Sequence, residues 1–279
     1  MPPARDFGWA LRDTNTSAFD ICRRDNGQFC VVLNHALLRG CTAAMLRWWF
    51  LHFTRLRVRL PDTPDYEGKQ VPAYWLWHPI DHLSATLTGS LGPGGTARVG
   101  AKIKIQEAMQ YDRYGWRYPV DSTVGVFYVG ADGWAMGRVL PLLGPVMMLR
   151  IHFVDAKDEA GQAGVHYHYE IVIGASGSNP VAKFVNHRIT SQFSPEFFEA
   201  WQRHNVIEVG TFENFLPILY AQRDNTAELS YERSNNAMPQ PVAARGGFDA
   251  EFQQSRLAGY RNAADPFAYQ QYAAASMLA

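Results

Sequence analysis

Hydrophobic residues recur with a helical spacing in some segments of the chain and with a strand-like pattern in others, and this difference distinguishes predicted helices from predicted strands. Apolar residues after Thr42 recur at spacings of three and four: Met45, Trp48, Trp49 and Phe53. With Thr42 as a candidate N-cap, this spacing predicts a short amphipathic helix. From residue 73 to 177 the pattern becomes strand-like and is broken by turn-forming clusters.

A second helix is predicted near the end of this pattern. Ser194, Pro195 and Glu196 combine a capping side chain, a proline at the first helical position and an acid in the first turn. The helix is expected to run to about Val209, because Gly210 allows an end or a kink. A separate helical piece, disturbed by a proline, is predicted over 212–220.

Strands followed by one long helix predict an α+β fold in which a curved antiparallel sheet grips a C-terminal helix. We expect three parts: an N-terminal segment with a short helix (1–55), a helix-grip domain (56–223) and an extended arm (224–279). The arm is polar and alanine-rich, so we expect it to wrap a partner subunit and make a homodimer. The space between sheet and helix is a natural ligand cavity.

Composition narrows the classes of protein that the chain can belong to. With 47% hydrophobic residues the chain can bury a large core, and its 26 basic residues equal its 26 acidic ones. This balance predicts no nucleic-acid or membrane partner. Three scattered cysteines and the absence of a signal-peptide pattern favour a cytoplasmic location.

Two charged residues lie on the apolar stripe of the second predicted helix. The stripe consists of Phe197, Trp201, His204, Glu208 and Phe212. A buried glutamate needs a partner, and His-x-x-x-Glu can chelate a divalent ion. The alternatives are a simple His204–Glu208 hydrogen bond across one turn, or a helix rotated so that both residues are solvated.

A predicted strand carries a similar anomaly. Its apolar face holds Ala101, Ile103, Ile105, Met109 and Tyr111. Glu107 falls on the same face, which calls for a cation, a proton or a hydrogen-bond network. The alternative is that the strand ends there and Glu107 reaches solvent.

A third segment adds histidines. Tyr74, His78 and His82 share one face if this segment is a regular strand, although either histidine could be a hydrogen-bonded core residue. Together the three segments predict a four-ligand nitrogen and oxygen site, which suits zinc, with manganese or iron also chemically possible. A competing His-x-His pair, His166 and His168, precedes Glu170, but periodicity places all three outside.

Several blocks of sequence resemble one enzyme family. They are Met45-Leu-Arg-Trp-Trp-Phe50, Trp77-His-Pro-Ile-Asp-His82, His204-Asn-Val-Ile-Glu208 and Phe212-Glu-Asn-Phe-Leu-Pro-Ile-Leu-Tyr220. Over roughly 42–222 the chain resembles the 2,4-diacetylphloroglucinol hydrolase and phloretin hydrolase family. The resemblance implies a Bet v 1-like (START-like) catalytic domain, often dimeric, and zinc-dependent hydrolysis of an acyl–aryl carbon–carbon bond.

The resemblance also implies a set of zinc ligands. His204 and Glu208 match the family's pair directly, and Glu107 matches its sheet glutamate if a loop is shortened. The remaining ligand is His78 or His82, of which His82 is favoured because Tyr74 then lies at the separation expected of a substrate-binding tyrosine.

For substrate binding, the resemblance implies that His152 and Tyr167, fifteen residues apart, act together with Tyr74. The family's substrate-binding asparagine has no clear counterpart after the histidine block. The expected function is hydrolysis of an acylated phenol of the acylphloroglucinol type. Two other functions remain open: a carrier of a hydrophobic or aromatic ligand without chemistry, and a metal-dependent dioxygenase of aromatic ketones.

Overall fold

The computed structural model describes residues 5–59, 69–224 and 229–230. Its strands are β1 Ser17–Arg23, β2 Phe29–His35, β3 Leu38–Arg39, β4 Arg57–Arg59, β5 Gln70–Pro72, β6 His82–Gly89, β7 Ala101–Ala108, β8 Pro119–Val129, β9 Gly133–Leu140, β10 Gly144–Lys157, β11 Ala163–Ile173 and β12 Leu229–Ser230. Its helices are α1 Ala43–His52, α2 Tyr74–Trp77, α3 Tyr111–Tyr114, α4 Pro180–Thr190 and α5 Pro195–Ala221.

Most strands join one large sheet in the order β1-β2-β11-β10-β9-β8-β7-β6, with β3 beside β11. Every pair in it is antiparallel, and the sheet does not close into a barrel. The predicted α+β class with an antiparallel sheet is therefore confirmed. β12, β4 and β5 form a small second sheet.

The three predicted parts map unevenly onto these elements. Residues 1–55 contribute α1 and three strands, and β1 to β3 belong to the same sheet as the strands of 56–223. Of the predicted arm 224–279, β12 pairs in parallel with β4, whereas 225–228 and 231–279 lie outside the described residues.

Both predicted helix starts are confirmed. The Thr42 side chain accepts a hydrogen bond from the backbone N–H of Met45, and the Ser194 side chain accepts one from that of Phe197. The predicted helix end at Val209 is wrong, because the 27-residue α5 continues through Gly210 and Pro217 to Ala221.

Packing explains why α5 does not break. A side-chain Cβ at Gly210 would lie 2.5 Å from Cδ of Arg12, so the glycine admits a neighbouring side chain instead of ending the helix. The apolar residues beyond it are fully buried: Phe212, Phe215, Leu216 and Leu219. Their burial outweighs the hydrogen bond that Pro217 cannot donate.

Helices α1 and α5 cover one face of the sheet and enclose an aromatic core. The Trp49 ring lies 5.0 Å from that of Phe215 and 5.9 Å from that of Phe212. Phe50 stacks on Trp134 of β9 at 5.5 Å. The face of α5 that carries His204 and Glu208 therefore points into the interior.

Helices in the described part of the chain are all too short or too polar to cross a membrane.

Candidate metal centre

The β6–β7 pair places His82 and Glu107 side by side. The two residues are direct partners in the antiparallel register, and the register shifts between His82 and Ser84. Such a bulge re-aims the side chains at a strand end. Nε2 of His82 lies 3.5 Å from Oε1 of Glu107. Glu107 thus faces inward, as the alternation of β7 predicts.

Helix α5 brings the other two predicted ligands to the same point. His204 and Glu208 are buried, at 4% and 8% exposure, one helical turn apart. Nε2 of His204 lies 3.6 Å from Oε2 of Glu107 and 3.8 Å from Oε2 of Glu208. Oε2 of Glu208 is also 3.5 Å from Nε2 of His82. The helix and the sheet edge thus place four polar side chains together in the interior.

Hydrogen bonds on the far side of each imidazole fix its orientation. Nδ1 of His82 lies 3.0 Å from the carbonyl oxygen of Tyr74, and Nδ1 of His204 lies 2.9 Å from Oδ2 of Asp81. Because these partners are acceptors, the tautomer assigned to each ring has its proton on Nδ1. In the neutral rings each Nε2 then presents a lone pair to the two carboxylates.

At the centre of the cluster, the acceptor nitrogen of His82 faces the acceptor oxygens of Glu107 and Glu208. Nε2 of His82 is fully buried and has no hydrogen-bond partner among the described residues, although two carboxylate oxygens lie 3.5 Å away. A lone pair directed at carboxylates is unfavourable unless a proton or a cation lies between them. Either a proton on a carboxyl group or a bound cation therefore satisfies Nε2 of His82.

The spacing of His82, His204 and Glu208 suits a metal ion, and Glu107 lies beside these three. Ligand atoms in a tetrahedron around an ion at about 2.0–2.2 Å are about 3.3–3.6 Å apart. The observed nitrogen–oxygen separations span 3.5–3.8 Å. His82, His204 and Glu208 present ligand atoms within 4.8 Å of one another, and Glu107 adds one oxygen toward each histidine.

His78 has a different role from His82. Its Nδ1 accepts hydrogen bonds from the backbone N–H groups of Asp81 and Ile80, at 3.0 and 3.3 Å, so its proton resides on Nε2. That nitrogen faces Oδ2 of Asp81 at 3.3 Å. His78, Asp81 and His204 also lie close enough together to hold a metal ion. With this tautomer, however, His78 presents no lone pair to the cluster, so His82 is the better ligand.

The conformation predicted for this segment is wrong. Tyr74 to Trp77 form one turn of helix, and β6 begins only at His82, so Tyr74, His78 and His82 do not alternate along a strand. The helical turn still brings Tyr74 to the site, with its ring stacked on that of His82 at 4.0 Å.

Tyr74 contacts two of the predicted ligands at once. Its carbonyl binds His82, and its hydroxyl donates a short hydrogen bond to Oε1 of Glu107. Burial, together with the charge of Glu107, raises the pKa of Tyr74 well above its usual value, so the phenol stays protonated. Its hydroxyl is therefore engaged in orienting Glu107.

Without a cation, the pKa values of the site residues depart strongly from their usual values. Burial, with Glu107 nearby, raises the pKa of Glu208 to about 8. Burial opposes protonation of His204, but the hydrogen bond to Asp81 and the charge of Glu208 raise its pKa to about 9. Burial and the neighbouring His204 lower the pKa of His82 well below its usual value. Near neutral pH the site therefore holds protons at positions that a cation would otherwise occupy.

Asp81 is the hub of the surrounding network. It is fully buried and accepts hydrogen bonds from the backbone N–H groups of Gln110 and Tyr111, at 2.8 and 3.1 Å. Burial alone would raise the pKa of Asp81, but His78 and His204 hold it below its usual value. An ionised Asp81 is thus available to orient His204. This role of Asp81 was not predicted from the sequence, although Asp81 directly precedes His82.

The contribution of Asn205 to the site was also not predicted from the sequence. Its Nδ2 donates to Oε1 of Glu208 at 2.5 Å, and its Oδ1 lies 2.9 Å from Nε2 of His35. The chain His35–Asn205–Glu208 therefore fixes the carboxylate from the side away from His204. The only available sequence signal was the position of Asn205 within the His-x-x-x-Glu block.

Of the two residues predicted to hold substrate together, only Tyr167 reaches the site. Tyr167 is buried on the inner face, where burial and the charge of Glu208 raise its pKa well above the usual value. His152 is directly opposite His168 in the β10–β11 register, whereas Tyr167 is opposite Phe153. Opposed residues share a face, so His152 lies on the other side of the sheet. The predicted His152–Tyr167 pair is therefore wrong.

The competing His-x-His segment lies on that other face, as its periodicity predicts, but His168 and Glu170 are buried there and His166 is only partly exposed. His168 and Glu170 are 3% and 4% exposed. Nδ1 of His168 lies 2.6 Å from Oδ1 of Asn34, and Glu170 pairs with Arg150 at 3.4 Å. His168 and Glu170 thus each have a polar partner within the sheet.

The inner cluster offers two imidazole nitrogens and two carboxylates, a donor set that binds divalent cations. Solvent reaches it from one side, because the side chain of Glu107 is 13% exposed whereas that of His82 is fully buried. A bound cation would therefore be held from within and approached from the carboxylate side.

No protein-family model matches the sequence, and no curated protein matches it.

Proposed function

We propose that this protein is a zinc-dependent hydrolase that cleaves the carbon–carbon bond between an acyl group and a polyhydroxylated aromatic ring. The products are a carboxylic acid and a deacylated phenol. One observation carries the proposal: the buried, orphaned Nε2 of His82 faces two carboxylates and converges with Nε2 of His204.

Zinc suits these ligands better than other common cations do. Nitrogen and carboxylate donors with tetrahedral spacing are typical of zinc, and no thiolate is needed. His82, Glu107, His204 and Glu208 would hold the ion, with Asp81 and the Tyr74 carbonyl orienting the imidazoles. When bound, zinc supplies a Lewis acid for the acyl carbonyl and lowers the pKa of water to about 7.

The ring carbon that loses the acyl group must gain a proton. Tyr167 and Tyr169 are the candidates for this role, because both lie buried on the inner face and burial raises the pKa of each well above its usual value. Both phenols stay protonated and can donate to ring hydroxyls or to the leaving carbon. The Trp201 indole N–H donates to the hydroxyl oxygen of Tyr169 at 3.1 Å and fixes it.

The substrate class rests on the sequence resemblance and is supported by the aromatic residues beside the ligands. Trp77 and Tyr167 both pack against Phe212, and such aromatic side chains suit a flat ring whose edge carries polar groups. An acylphloroglucinol fits this description, since several hydroxyls make its ring a better leaving group. On the same resemblance, we infer a Bet v 1-like helix-grip arrangement in which the sheet holds α5. Cytoplasmic location and dimerisation through 224–279 stay predictions.

Incubation with diacetylphloroglucinol and phloretin, followed by mass spectrometry, tests the function. The zinc-loaded protein should release acid and deacylated phenol in equal amounts without consuming oxygen, and Glu208→Gln should release neither. Binding of the phenol without product or metal would identify a carrier and refute the proposal. Oxygen consumption with bound iron would identify a dioxygenase and refute it as well.

A further inference from the structure

The hairpin of β1 and β2 brings two cysteines together on the sheet face opposite the metal centre. Its loop carries Gly27 at φ +84°, and the Arg24 N–H donates to the Gln28 carbonyl at 2.9 Å. This is a three-residue loop closed by a hydrogen-bonded pair. Counting from that pair, Cys22 and Cys30 are direct partners in the register.

The register places the two sulfurs within reach of each other. Hydrogen-bonded partners alternate along an antiparallel pair, so Cys22 and Cys30 form such a pair, with Cα atoms about 5.5 Å apart. Disulfides span Cα separations of about 4.4–6.8 Å. Burial, the charge of Glu170 and the nearby Cys22 raise the pKa of Cys30.

The two thiols differ in exposure, and a carboxylate lies beside the inner one. Cys22 is exposed and Cys30 is buried. Sγ of Cys30 donates to Oε1 of Glu170 at 3.6 Å, and the other carboxylate oxygen lies 3.4 Å from Nη1 of Arg150. An oxidant can therefore reach one sulfur, while the second has a proton acceptor in place.

We propose that Cys22 and Cys30 are a redox-active dithiol that hydroperoxides oxidise to an intramolecular disulfide, with Glu170 accepting the proton of the Cys30 thiol. The Cys22 thiolate attacks the peroxide oxygen, giving a sulfenic acid and an alcohol. The Cys30 sulfur then attacks the Cys22 sulfur, its proton passes to Glu170, and Glu170 returns a proton to the departing hydroxide, which leaves as water. Two thiols and one hydroperoxide yield one disulfide, one alcohol and one water.

The disulfide should be easily reduced. Opposed Cβ atoms lie about 4.5–5.5 Å apart in a sheet, whereas a disulfide holds them at about 3.8 Å. Closing this gap strains the hairpin, and strained, exposed disulfides are the labile ones. Reduced glutathione should therefore restore both thiols.

Treatment of the full chain with hydrogen peroxide, followed by differential alkylation and peptide mass analysis, tests the proposal. Cys22 and Cys30 should be joined with loss of two hydrogen atoms, while the buried Cys41 stays a thiol. Cys41→Ser should behave like the wild type, and Cys22→Ser should leave Cys30 reduced. Glu170→Gln should slow disulfide closure on the order of tenfold and let dimedone trap the sulfenic acid.

Three results would overturn the proposal. Cys22 could resist peroxide, be over-oxidised while Cys30 stays open to alkylation, or link two chains instead. Peroxide treatment of the wild-type protein distinguishes these three results from the expected disulfide, even if the Glu170→Gln variant does not fold.

Discussion

Oδ2 of Asp81 lies 2.9 Å from Nδ1 of His204, inside the protein and on the side of the ring away from Glu107 and Glu208. A carboxylate behind an imidazole fixes the tautomer and makes the other nitrogen a stronger ligand. The site thus has two layers: four side chains that converge, and a buried aspartate that orients one of them.

Replacing Asp81 with asparagine should weaken metal binding without removing a ligand. The amide oxygen can still accept from His204, but the negative charge is lost, so metal affinity should fall by about 10- to 100-fold. Competition with a chromophoric chelator measures this. Asp121→Asn, at a 61% exposed carboxylate, is the matched control and should leave affinity unchanged. Equal affinities in the two variants would show that Asp81 does not act on the site.

Glu208→Gln should abolish metal binding yet stabilise the metal-free protein at alkaline pH. Burial raises the pKa of Glu208 to about 8, so above that pH the wild type carries a poorly solvated charge. A neutral amide that still accepts from Asn205 removes this cost, on the order of a few kcal/mol. Urea unfolding at pH 9 measures the gain. A large loss of stability there would contradict this account of the buried charge.

The metal-free protein should lose stability as the pH rises from 6.5 to 9. The pKa of His204 is raised from 6.5 to about 9 and that of Glu208 from 4.5 to about 8, so folding favours the protonated forms. The stability that these two groups contribute is complete at low pH and is lost as the pH rises through their pKa values in the folded protein. Burial lowers the pKa of His35 and His78 to about 3, so both are neutral throughout this window.

A cation replaces those protons, so the zinc-loaded protein should lack the decline. The difference in melting temperature between loaded and metal-free protein should therefore widen from pH 6.5 to 9. A constant difference would mean that metal and protons do not compete for the same side chains.

Tyr74→Phe should have a small effect and His82→Ala a large one. The phenylalanine loses the hydrogen bond to Glu107, worth about 1 kcal/mol, but keeps the backbone carbonyl that binds His82. Metal affinity should fall about fivefold in Tyr74→Phe and to background in His82→Ala. Loss of all metal in Tyr74→Phe would show that the hydroxyl does more than orient Glu107.

His152→Ala and Tyr167→Phe should separate the two faces of the sheet. His152 lies opposite His168 on the outer face, so its loss should leave turnover of an acylphenol and zinc content unchanged. Tyr167→Phe should keep zinc but lower kcat about 100-fold, because a proton donor is removed. Reduced turnover in His152→Ala at full stability would contradict this placement.

The sequence predicted the site where periodicity reports burial directly. His204, Glu208 and Glu107 stood out because charged residues occupied apolar positions of a helix and a strand, and all three do face inward. The N-caps at Thr42 and Ser194 were readable because capping depends on a few adjacent residues.

The errors arose where tertiary packing overrides local pattern. The mostly aromatic residues 74–77 have strand propensity, yet they form a helical turn packed on α5. Helix α5 itself runs through Gly210 because Arg12 packs there. The face of His152 could not be read from spacing, since the register between β10 and β9 shifts between Pro145 and Met147. Contacts such as Asp81 with His204 join residues 123 positions apart and leave no periodic signal.

Anomalous diffraction at the zinc edge from crystals of the purified protein would test the central claim most directly. We expect one peak bonded to Nε2 of His82, Nε2 of His204 and oxygens of Glu107 and Glu208, at about 2.0–2.2 Å. Zinc bound elsewhere, with a water or a proton shared between His82 and the carboxylates instead, would contradict the account.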